Sequence, residues 1–394
     1  MKLKQTFTFL ITALFMVSCG GSGSNADSEA TDSTALNSDL MISDSVLLSF
    51  AFVGCNRIDR KDTANWAATD SSSANLSVLK RVMHEVMELD RQPDLFFFLG
   101  DIVLAETNLL RLNTELENWV KLYNDTSQTG PMSANPSIEM VAVPGNHEML
   151  TYKKYKDAPL HSEFPLAGST ESWMHYMKDF MPSDRDYITG PDSVNNQMTF
   201  SFVRGNVAFI MMNTDTYNGP SQTYPHGREG MIAYDWITTK TEEYQNNPTI
   251  DHVFVMGHKP AYTESKADPT LHFDTIHAGF MHSEELWLEL MDDTVVAMLS
   301  AHAHTYSRNQ PMGHGTYQVI AGNGGSKDPE FYGYTLVNIM SSGEVQLISK
   351  GFENDGEYYY NPKSAADSNY TVTQDSTILI WDKNATSVEA AYKQ

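Results

Sequence analysis

Five polar side chains lie just past the ends of apolar runs, and each is of a type that can bind a metal ion. They are Cys55, Asp101, Asn146, His258 and His302. Sites in α/β proteins form in the loops that follow the carboxyl ends of strands. Thiolate, imidazole and oxygen ligands together suit transition metals such as zinc and iron. We therefore predict that these side chains, which lie far apart in sequence, converge on a metal centre.

The pair His302 and His304 strengthens this prediction, because a single residue separates the two rings. Side chains alternate along an extended chain, so both rings would point to one side and approach a shared centre. Taken one at a time, Asp101 and Asn146, which each follow a glycine, are also typical of turns and helix caps. The recurrence of such residues at five run ends favours a site.

The elements that must position these residues alternate between apolar runs and amphipathic segments. Residues 46–54, 94–100 and 138–145 are predicted buried strands. Between them, apolar residues recur at helical spacing over residues 76–89 and 109–123. The order strand, helix, strand, helix, strand favours a layered α/β domain.

The second half of the chain continues this pattern. A hairpin is predicted to turn at residues 204–206, where glycine suits the positive φ of a tight turn. The further predicted elements are a helix near 229–246, a strand at 252–258, a helix at 282–291, strands at 294–304 and 315–322, and a hairpin at 334–349.

The N-terminus is typical of an exported protein. Lys2 and Lys4 precede an apolar run that is too short to span a bilayer and that ends at Cys19. This segment resembles a bacterial lipoprotein signal, with Cys19 lipidated after cleavage; the alternative is an ordinary secretory signal. We predict a lipoprotein signal peptide with a lipobox cysteine at 1–19 and a flexible polar tether at 20–45. The protein is then expected to be lipid-anchored in the bacterial cell envelope, at the outer membrane, facing the periplasm or the surface.

Composition and charge exclude several classes of partner. The 394 residues are 41% hydrophobic, which is enough for a sizeable core. With 26 Lys and Arg against 50 Asp and Glu, the net charge is -24. This charge repels nucleic acid, so no nucleic-acid-binding surface is expected, and a phosphorylated substrate needs a local positive centre. Cys55 is the second of two cysteines, so a lipid on Cys19 leaves it without an internal disulfide partner.

Four motifs resemble those of the calcineurin-like metallophosphoesterase family. They are GD (100–101), GNHE (145–148), VMGH (255–258) and AHAH (301–304). The segments AHAHTYSR and AGNGG make the chain most similar to the purple-acid-phosphatase-like branch of that family. The resemblance implies a four-layer α/β/β/α sandwich, with two mixed β-sheets flanked by helices. It also implies a metallophosphoesterase domain at 46–352 with an insertion at 150–195, followed by a C-terminal extension at 353–394.

The resemblance implies two metal ions, a first and a second, and gives a role to each matched residue. Asp101 would bridge two metal ions and take part in catalysis. The second metal would also bind Asn146, His258 and His302. His147, next to Asn146, would be the catalytic proton donor to the leaving group, a role that suits a histidine near neutral pH.

The first metal position departs from the family pattern. His304 would bind this metal, but Cys55 stands where the family has an aspartate, with Asn56 as the alternative if the register shifts by one. Purple acid phosphatases also place a metal-binding tyrosine three residues after the bridging aspartate, and this chain has Leu104 there. Cys55 is unsuited to covalent phosphatase chemistry, because the Cys-x5-Arg loop of such enzymes would need arginine where Lys61 stands.

The implied activity is metal-dependent hydrolysis of a small phosphorylated substrate. Two divalent or trivalent ions, from among iron, zinc and manganese, would hold a hydroxide for in-line attack on phosphorus. The resemblance favours a phosphomonoesterase. A phosphodiesterase with the same site and a non-catalytic lipoprotein that binds phosphorylated ligands remain the alternatives, and the sequence leaves the oligomeric state open.

Overall fold

The structure is a computed structural model, and eleven parts of the chain are described. They are residues 45–58, 72–105, 108–152, 163–188, 197–215, 232–262, 280, 282–311, 315–326, 330–353 and 371–379. The predicted signal peptide, Cys19 and residues 20–44 of the tether lie outside them, as do parts of the insertion and of the C-terminal extension. Among the described residues, every helix is too short or too polar to cross a lipid bilayer.

The strands and helices are numbered in chain order. The strands are β1 (Val46–Val53), β2 (Leu95–Leu99), β3 (Glu139–Val143), β4 (Leu150–Tyr152), β5 (Glu163–Pro165), β6 (Asp186–Tyr187), β7 (Phe200–Arg204), β8 (Val207–Met212), β9 (His252–Gly257), β10 (Ala297–Ser300), β11 (Tyr306–Asn309), β12 (Tyr317–Ala321), β13 (Phe331–Met340), β14 (Val345–Glu353) and β15 (Thr371–Leu379). The helices are α1 (Leu76–Met87), α2 (Leu109–Asn124), α3 (Thr126–Thr129), α4 (Asn146–Met149), α5 (Ser169–Tyr176), α6 (Tyr234–Gln245) and α7 (Ser283–Asp292). Short 3₁₀ helices span Gly130–Ala134 and Lys178–Phe180.

Two mixed sheets carry the fold. The first sheet has the order β15-β14-β13-β1-β2-β3, and the second has the order β11-β12-β10-β9-β8-β7-β6. In the first sheet β1, β2 and β3 run parallel, and in the second β8, β9, β10 and β12 run parallel. Because parallel strands end at the same edge, each sheet gathers its strand-end loops on one side.

The two-residue period of the strands explains the layering. Phe209 of β8 packs against Phe50 of β1 and Phe97 of β2, with ring centroids 5.3 Å and 5.2 Å apart. The next residue, Ile210, lies on the opposite face, in the core that includes Ile237 of α6 and Trp287 of α7. Successive side chains of a strand point to opposite faces, so one strand serves both the core between the sheets and the core under the helices.

The helices of the first half cover the other face of the first sheet. Phe98 of β2 meets Trp119 of α2 edge to face, with ring centroids 5.5 Å apart. Side-chain caps begin both helices, since Asn75 accepts a hydrogen bond from the N–H of Val78 and Asn108 accepts one from the N–H of Arg111. The layers therefore run helix, sheet, sheet, helix, and the predicted α/β/β/α sandwich is confirmed.

The predicted hairpin at residues 204–206 is also present. β7 and β8 pair from Phe200 with Met211 to Arg204 with Val207, so Gly205 and Asn206 form the turn. Gly205 has φ 61°, a left-handed conformation that glycine adopts without a steric penalty. In the C-terminal extension, residues 371–379 form β15, an edge strand of the first sheet.

Candidate metal centre

The predicted site residues come from strand ends of both sheets. Cys55, Asp101 and Asn146 follow β1, β2 and β3 of the first sheet, whereas His258 and His302 follow β9 and β10 of the second. All are buried except His302, which is partly exposed. The folding of the two sheets against each other brings these residues together, as the following distances show.

Cys55, Asp101 and His258 form a buried triad that could hold a metal ion. One ligand atom from each residue lies within 4.8 Å of the other two. A sulfur, a carboxylate oxygen and an imidazole nitrogen are a donor set that suits zinc or iron.

A second group of donors is tighter still. Asn146 Oδ1, His258 Nε2 and His302 Nδ1 form a triangle with 3.1 Å between each pair of atoms. Metal bonds of about 2.0–2.2 Å place neighbouring ligands roughly 2.8–3.6 Å apart in octahedral or tetrahedral shells. The triangle therefore has the dimensions of one face of a coordination shell.

The tautomer of His258 shows why this cluster fits a cation. Its Nδ1 lies 2.7 Å from the carbonyl oxygen of Leu99, which can only accept, so Nδ1 carries the hydrogen. In the neutral ring Nε2 then presents a lone pair, and it faces the oxygens of Asn146 at 3.1 Å and Asp101 at 3.3 Å. A metal ion bound here would hold the ring of His258 in its neutral form with Nε2 as a ligand atom, and a backbone carbonyl is a usual partner for the other nitrogen of a ligating histidine.

The electrostatics of the cluster leave Asp101 ionised. Burial alone would raise the pKa of Asp101, but the charges of His258, His147 and Arg57 hold it well below its usual range. Burial alone would lower the pKa of His258, but the carboxylate of Asp101 raises it. Burial, followed by the charge of His258, lowers the pKa of His302 well below its usual range, so that ring is neutral.

Cys55 is a fully buried thiol, and no other free cysteine occurs among the described residues. Burial, reinforced by the charge of Asp101, raises the pKa of Cys55 well above its usual value, while Arg57 and a hydrogen bond from the backbone of His302 lower it. A bound metal ion would deprotonate a coordinating thiol, so the donor set remains compatible with metal binding.

Three of the predicted ligands have a strained backbone. Cys55, Asp101 and His302 have φ values of 59°, 55° and 61°. Left-handed conformations are uncommon for residues with a Cβ, and they cluster at functional sites because the surrounding structure must hold them. Here the strain turns each side chain from the end of its strand toward the cluster.

Glu148 holds the first-sheet loops together. Its Oε2 accepts hydrogen bonds from the backbone N–H groups of Asp101 (3.0 Å) and Gly145 (2.7 Å), and its Oε1 accepts one from Val103 (3.0 Å). Burial, followed by the charge of Asp101, raises the pKa of Glu148 to about 7. The carboxylate thus ties the loop after β2 to the loop after β3.

His147 contacts the same loops. Its backbone N–H donates to Asp101 Oδ1 (3.1 Å), and its ring Nδ1 donates to the carbonyl oxygen of Leu104 (3.0 Å). Burial, followed by the charge of Arg57, lowers the pKa of His147 to about 3. Leu104, at the position of the family tyrosine, contributes this backbone carbonyl, and its apolar side chain is buried.

The remaining predicted ligands lie close by in the chain but differ in their contacts. The amide nitrogen of Asn56 donates to the carbonyl oxygen of Gly324 (2.6 Å), and its buried Oδ1 has no hydrogen-bond partner among the described residues. Cys55 belongs to the triad with Asp101 and His258. His304 is partly buried, and its charge contributes to lowering the pKa of His302, after burial and His258. The assignment of both residues to the first metal stays a prediction.

Two charged contacts at the site were not predicted from the sequence. Arg57 Nε donates to Asp101 Oδ2 at 3.1 Å, and both residues are buried. Lys259 Nζ lies 2.5 Å from Asp215 Oδ1, where both side chains are fully buried. Arg57 and Lys259 each lie within two residues of a predicted ligand, so proximity in the motif was the one available signal. Asp215 follows the end of β8, and the sequence around it does not indicate its partner.

The comparisons with known proteins decide the family. The sequence model of the calcineurin-like phosphoesterase family matches residues 43–306. The chain belongs to this family. Membership supports a hydrolase that acts on phosphoester bonds with metal ions, and the donor set of the centre agrees with that chemistry.

Solved structures match the chain at low sequence identity, and PhoD among them shares the fold. PhoD is 11% identical over 88% of this chain and 73% of its own, with a TM-score of 0.52. GAP50, the anchor in the inner membrane complex of Plasmodium, is 13% identical over 80% of this chain and 88% of its own, with a TM-score of 0.44. Vps29 from Entamoeba histolytica, complexed with zinc, is 10% identical over 43% of this chain and 98% of its own, with a TM-score of 0.19. No curated protein matches the chain.

Proposed function

We propose that this protein is a metal-dependent phosphomonoesterase with two metal ions held between its two sheets. The observation that carries the proposal is the triangle of Asn146 Oδ1, His258 Nε2 and His302 Nδ1, with 3.1 Å between each pair. The ionised Asp101 beside this triangle supports the same assignment, because it supplies the negative charge that a buried cation needs.

The proposed ligand sets overlap at Asp101. Asn146, His258 and His302 would hold one ion with Asp101, and Cys55 and His304 would hold the other. When bound, the two ions would supply a nucleophile at neutral pH and stabilise the attacking and leaving oxygens of an in-line displacement. Arg57 donates to Oδ2 of Asp101, which fixes the orientation of the carboxylate.

His147 is the proposed proton donor to the leaving group. In the neutral ring, the hydrogen sits on Nδ1 and is held by Leu104, so Nε2 accepts. A phosphate group beside the ring would raise the pKa of His147 by its negative charge, and the protonated ring could then donate from Nε2. Throughout, the hydrogen bond from the backbone N–H of His147 to Asp101 holds His147 in position.

The substrate class follows from charge and from the branch that the motifs resemble. A chain of net charge -24 offers a phosphorylated molecule few favourable surfaces other than the metal centre. The resemblance to purple acid phosphatases favours a small phosphomonoester over a diester.

Elemental analysis and hydrolysis assays on the purified protein test this proposal. We expect close to two metal ions per chain, and faster turnover of p-nitrophenyl phosphate than of bis-p-nitrophenyl phosphate when Mn²⁺ or Zn²⁺ is supplied. Faster turnover of the diester would indicate a phosphodiesterase. Metal binding without turnover of either ester would indicate a non-catalytic, ligand-binding protein, and the absence of both metal and turnover would refute the proposal.

The membrane anchor is a separate proposal that rests on the sequence of the first nineteen residues. Lipid attached to Cys19 would hold the protein in the cell envelope, and the polar residues that follow would separate the domain from the membrane. Replacement of Cys19 by Ala should move the protein from the membrane fraction to the soluble fraction. Unchanged fractionation would refute the anchor.

A further inference from the structure

Among the described residues, two ion pairs away from the proposed centre join the first sheet to the second, at opposite edges of the sandwich. Asp375 of β15 pairs with Arg308 of β11, with Oδ2 and Nε 2.7 Å apart. Glu139 of β3 pairs with Arg204 of β7 through two hydrogen bonds of 2.7 Å. The four side chains are similarly exposed, at 21–36%. Each pair has one further partner, since Arg204 also pairs with Asp184 (2.9 Å) and Asp375 also accepts from Tyr306 (2.6 Å), so the pairs are comparable in burial and differ chiefly in where they lie.

The pair at Asp375 lies at the end of the sheets that carries the metal centre. The register of the first sheet places Asp375 level with Phe52, near the end of β1. The aligned residues between them are Ser349 of β14 and Thr335 of β13. Cys55 lies three residues after Phe52. In contrast, Glu139 begins β3 and Arg204 ends β7 at the opposite end of the sheets.

A β-bulge aims Asp375 at the second sheet. Ser349 is aligned with Asp375 but the next residue, Lys350, is aligned with Thr373, so the register passes over Gln374. A bulge shifts the alternation of a strand and re-aims its side chains. On the N-terminal side of the bulge, Thr371 accordingly faces α1, where its Oγ1 accepts from Arg81 Nη2 at 2.7 Å. On the other side of the bulge, Asp375 faces β11.

Asp375 forms hydrogen bonds with Tyr306 and Arg308, the first and third residues of β11. Its Oδ2 accepts from the hydroxyl of Tyr306 (2.6 Å) and from Nε of Arg308 (2.7 Å), and its Oδ1 accepts from Nη2 of Arg308 (3.3 Å). Tyr306 is the second residue after His304. The contact therefore holds the C-terminal end of the turn that carries His302 and His304.

That turn needs support at both ends, because His302 has a φ of 61°. At its N-terminal end, the N–H of Ala301 donates to the carbonyl oxygen of His258 (2.9 Å). At its C-terminal end, the carbonyl oxygen of Thr305 accepts from the N–H of Gly322 (3.0 Å). These two bonds tie the ends of the turn to the second sheet, and the hydrogen bond from the backbone of His302 to Cys55 ties its middle to the first sheet. Asp375 adds an attachment of its C-terminal end to the first sheet, which supplies the opposing ligands.

We propose that Asp375 is a positioning residue for the metal centre, acting through Tyr306 and Arg308 on the turn that carries His302 and His304. This inference rests on the proposed metal centre. It gives the C-terminal strand, which lies beyond the family-matched residues 43–306, a part in metal binding. Without Asp375, the C-terminal end of the turn loses its side-chain attachment to the first sheet, the contacts of His302 with Cys55 and Asn146 remain, and the imidazoles face the ligands of the first sheet less accurately.

Titration with Co²⁺ of the full chain, freed of bound metal, tests the proposal through the d–d absorption bands of the bound ion. For Asp375→Asn, we expect the Co²⁺ affinity at one site to fall by roughly tenfold and the absorption bands to shift. A loss of about tenfold is the smallest that is usual when a residue that orients metal ligands is replaced. The matched control is Glu139→Gln, which breaks the pair at the far end of the sheets. It should bind Co²⁺ within about twofold of the original chain and leave the bands unchanged.

A second variant keeps the test decisive if Asp375→Asn does not fold. Tyr306→Phe removes the hydroxyl bond to Asp375 and leaves the Arg308 pair, so it should weaken Co²⁺ binding in the same direction by a smaller factor. Co²⁺ affinity and spectra equal to those of the original chain, in whichever of the two variants folds, would overturn the positioning role. So would equal losses in Asp375→Asn and Glu139→Gln, which would indicate general stabilisation. An original chain that binds no Co²⁺ would overturn the proposed metal centre itself.

Discussion

The two sheets contribute different chemistry to the candidate centre. The loops of the first sheet present sulfur and oxygen atoms, including the ionised carboxylate of Asp101, whereas the loops of the second sheet present imidazoles. The first sheet therefore supplies the charge that a buried cation needs, and the second supplies neutral nitrogens such as that of His302. In the proposed centre each metal ion takes ligands from both sheets, so metal binding would depend on how the sheets are aligned with each other. Loss of the charged carboxylate of Asp101 should therefore weaken metal binding more than loss of any one neutral ligand.

The largest effect is expected for the charge supplied by the first sheet. Asp101→Asn removes the proposed bridging anion and leaves Arg57 without its carboxylate partner. We expect the loss of both metal ions and a fall in hydrolysis of at least about 10³-fold, the upper range for loss of one preorganised group. Elemental analysis beside circular dichroism separates loss of metal from loss of fold. A folded variant that retains two ions would show that the charge of the first sheet is not essential.

Removal of a neutral ligand should cost one ion. His302→Ala from the second sheet and Asn146→Ala from the first are each expected to empty the same position, because their donor atoms lie 3.1 Å apart. Hydrolysis should fall by about 10²-fold in both variants. Equal effects from opposite sheets would support a site shared between them. Activity at the original level in either variant would refute the ligand assignment.

Cys55 tests the departure from the family pattern. Cys55→Ala should lose the first metal preferentially, with a fall in affinity at that site of about tenfold. The loss is limited because burial raises the pKa of the thiol, and metal binding to Cys55 must therefore include the cost of removing its proton. Cys55→Asp restores the anion of the family motif and should recover the affinity. A cysteine that serves only packing would leave the metal content of Cys55→Ala unchanged.

The smallest effect on metal is expected at Glu148, which holds loops without contacting the triangle. Glu148→Gln replaces an acceptor of three backbone hydrogen bonds by an amide that can satisfy fewer of them. We expect the free energy of unfolding to fall by roughly 1–3 kcal/mol, with metal content unchanged in the folded protein. Denaturant unfolding measures the first and elemental analysis the second. Loss of metal from the folded variant would instead make Glu148 part of the centre.

The sequence predicted the strands and the convergence of their ends for a physical reason. Apolar periodicity is a local signal, and parallel strands place their carboxyl ends at one edge, so the meeting of Asp101 with His258 followed from strand order and from the family motifs. The order of elements predicted a layered α/β domain, and the family resemblance implied the four-layer sandwich. Ligand atoms of Cys55, Asp101 and His258 lie within 4.8 Å of one another, and the assignment of Cys55 to the first metal stays a prediction.

Other features depend on contacts that local patterns do not carry. The pair of Lys259 with Asp215 joins residues from neighbouring strand ends, and nothing around either residue specifies the other. The sequence around Gln374 does not indicate the bulge either, because the bulge is defined by the alignment of β15 with β14. The left-handed backbone of His302 is imposed by the surrounding loops, against the ordinary preference of the residue.

Anomalous diffraction at the absorption edge of the bound metal tests the central claim most directly. A crystal of the purified, metal-loaded protein should show one peak against Asn146, His258 and His302 and another against Cys55, with Asp101 touching both. Peaks at these positions would place the metal centre between the two sheets. A map with no peak beside Asp101, from crystals of protein that contains metal, would contradict the account.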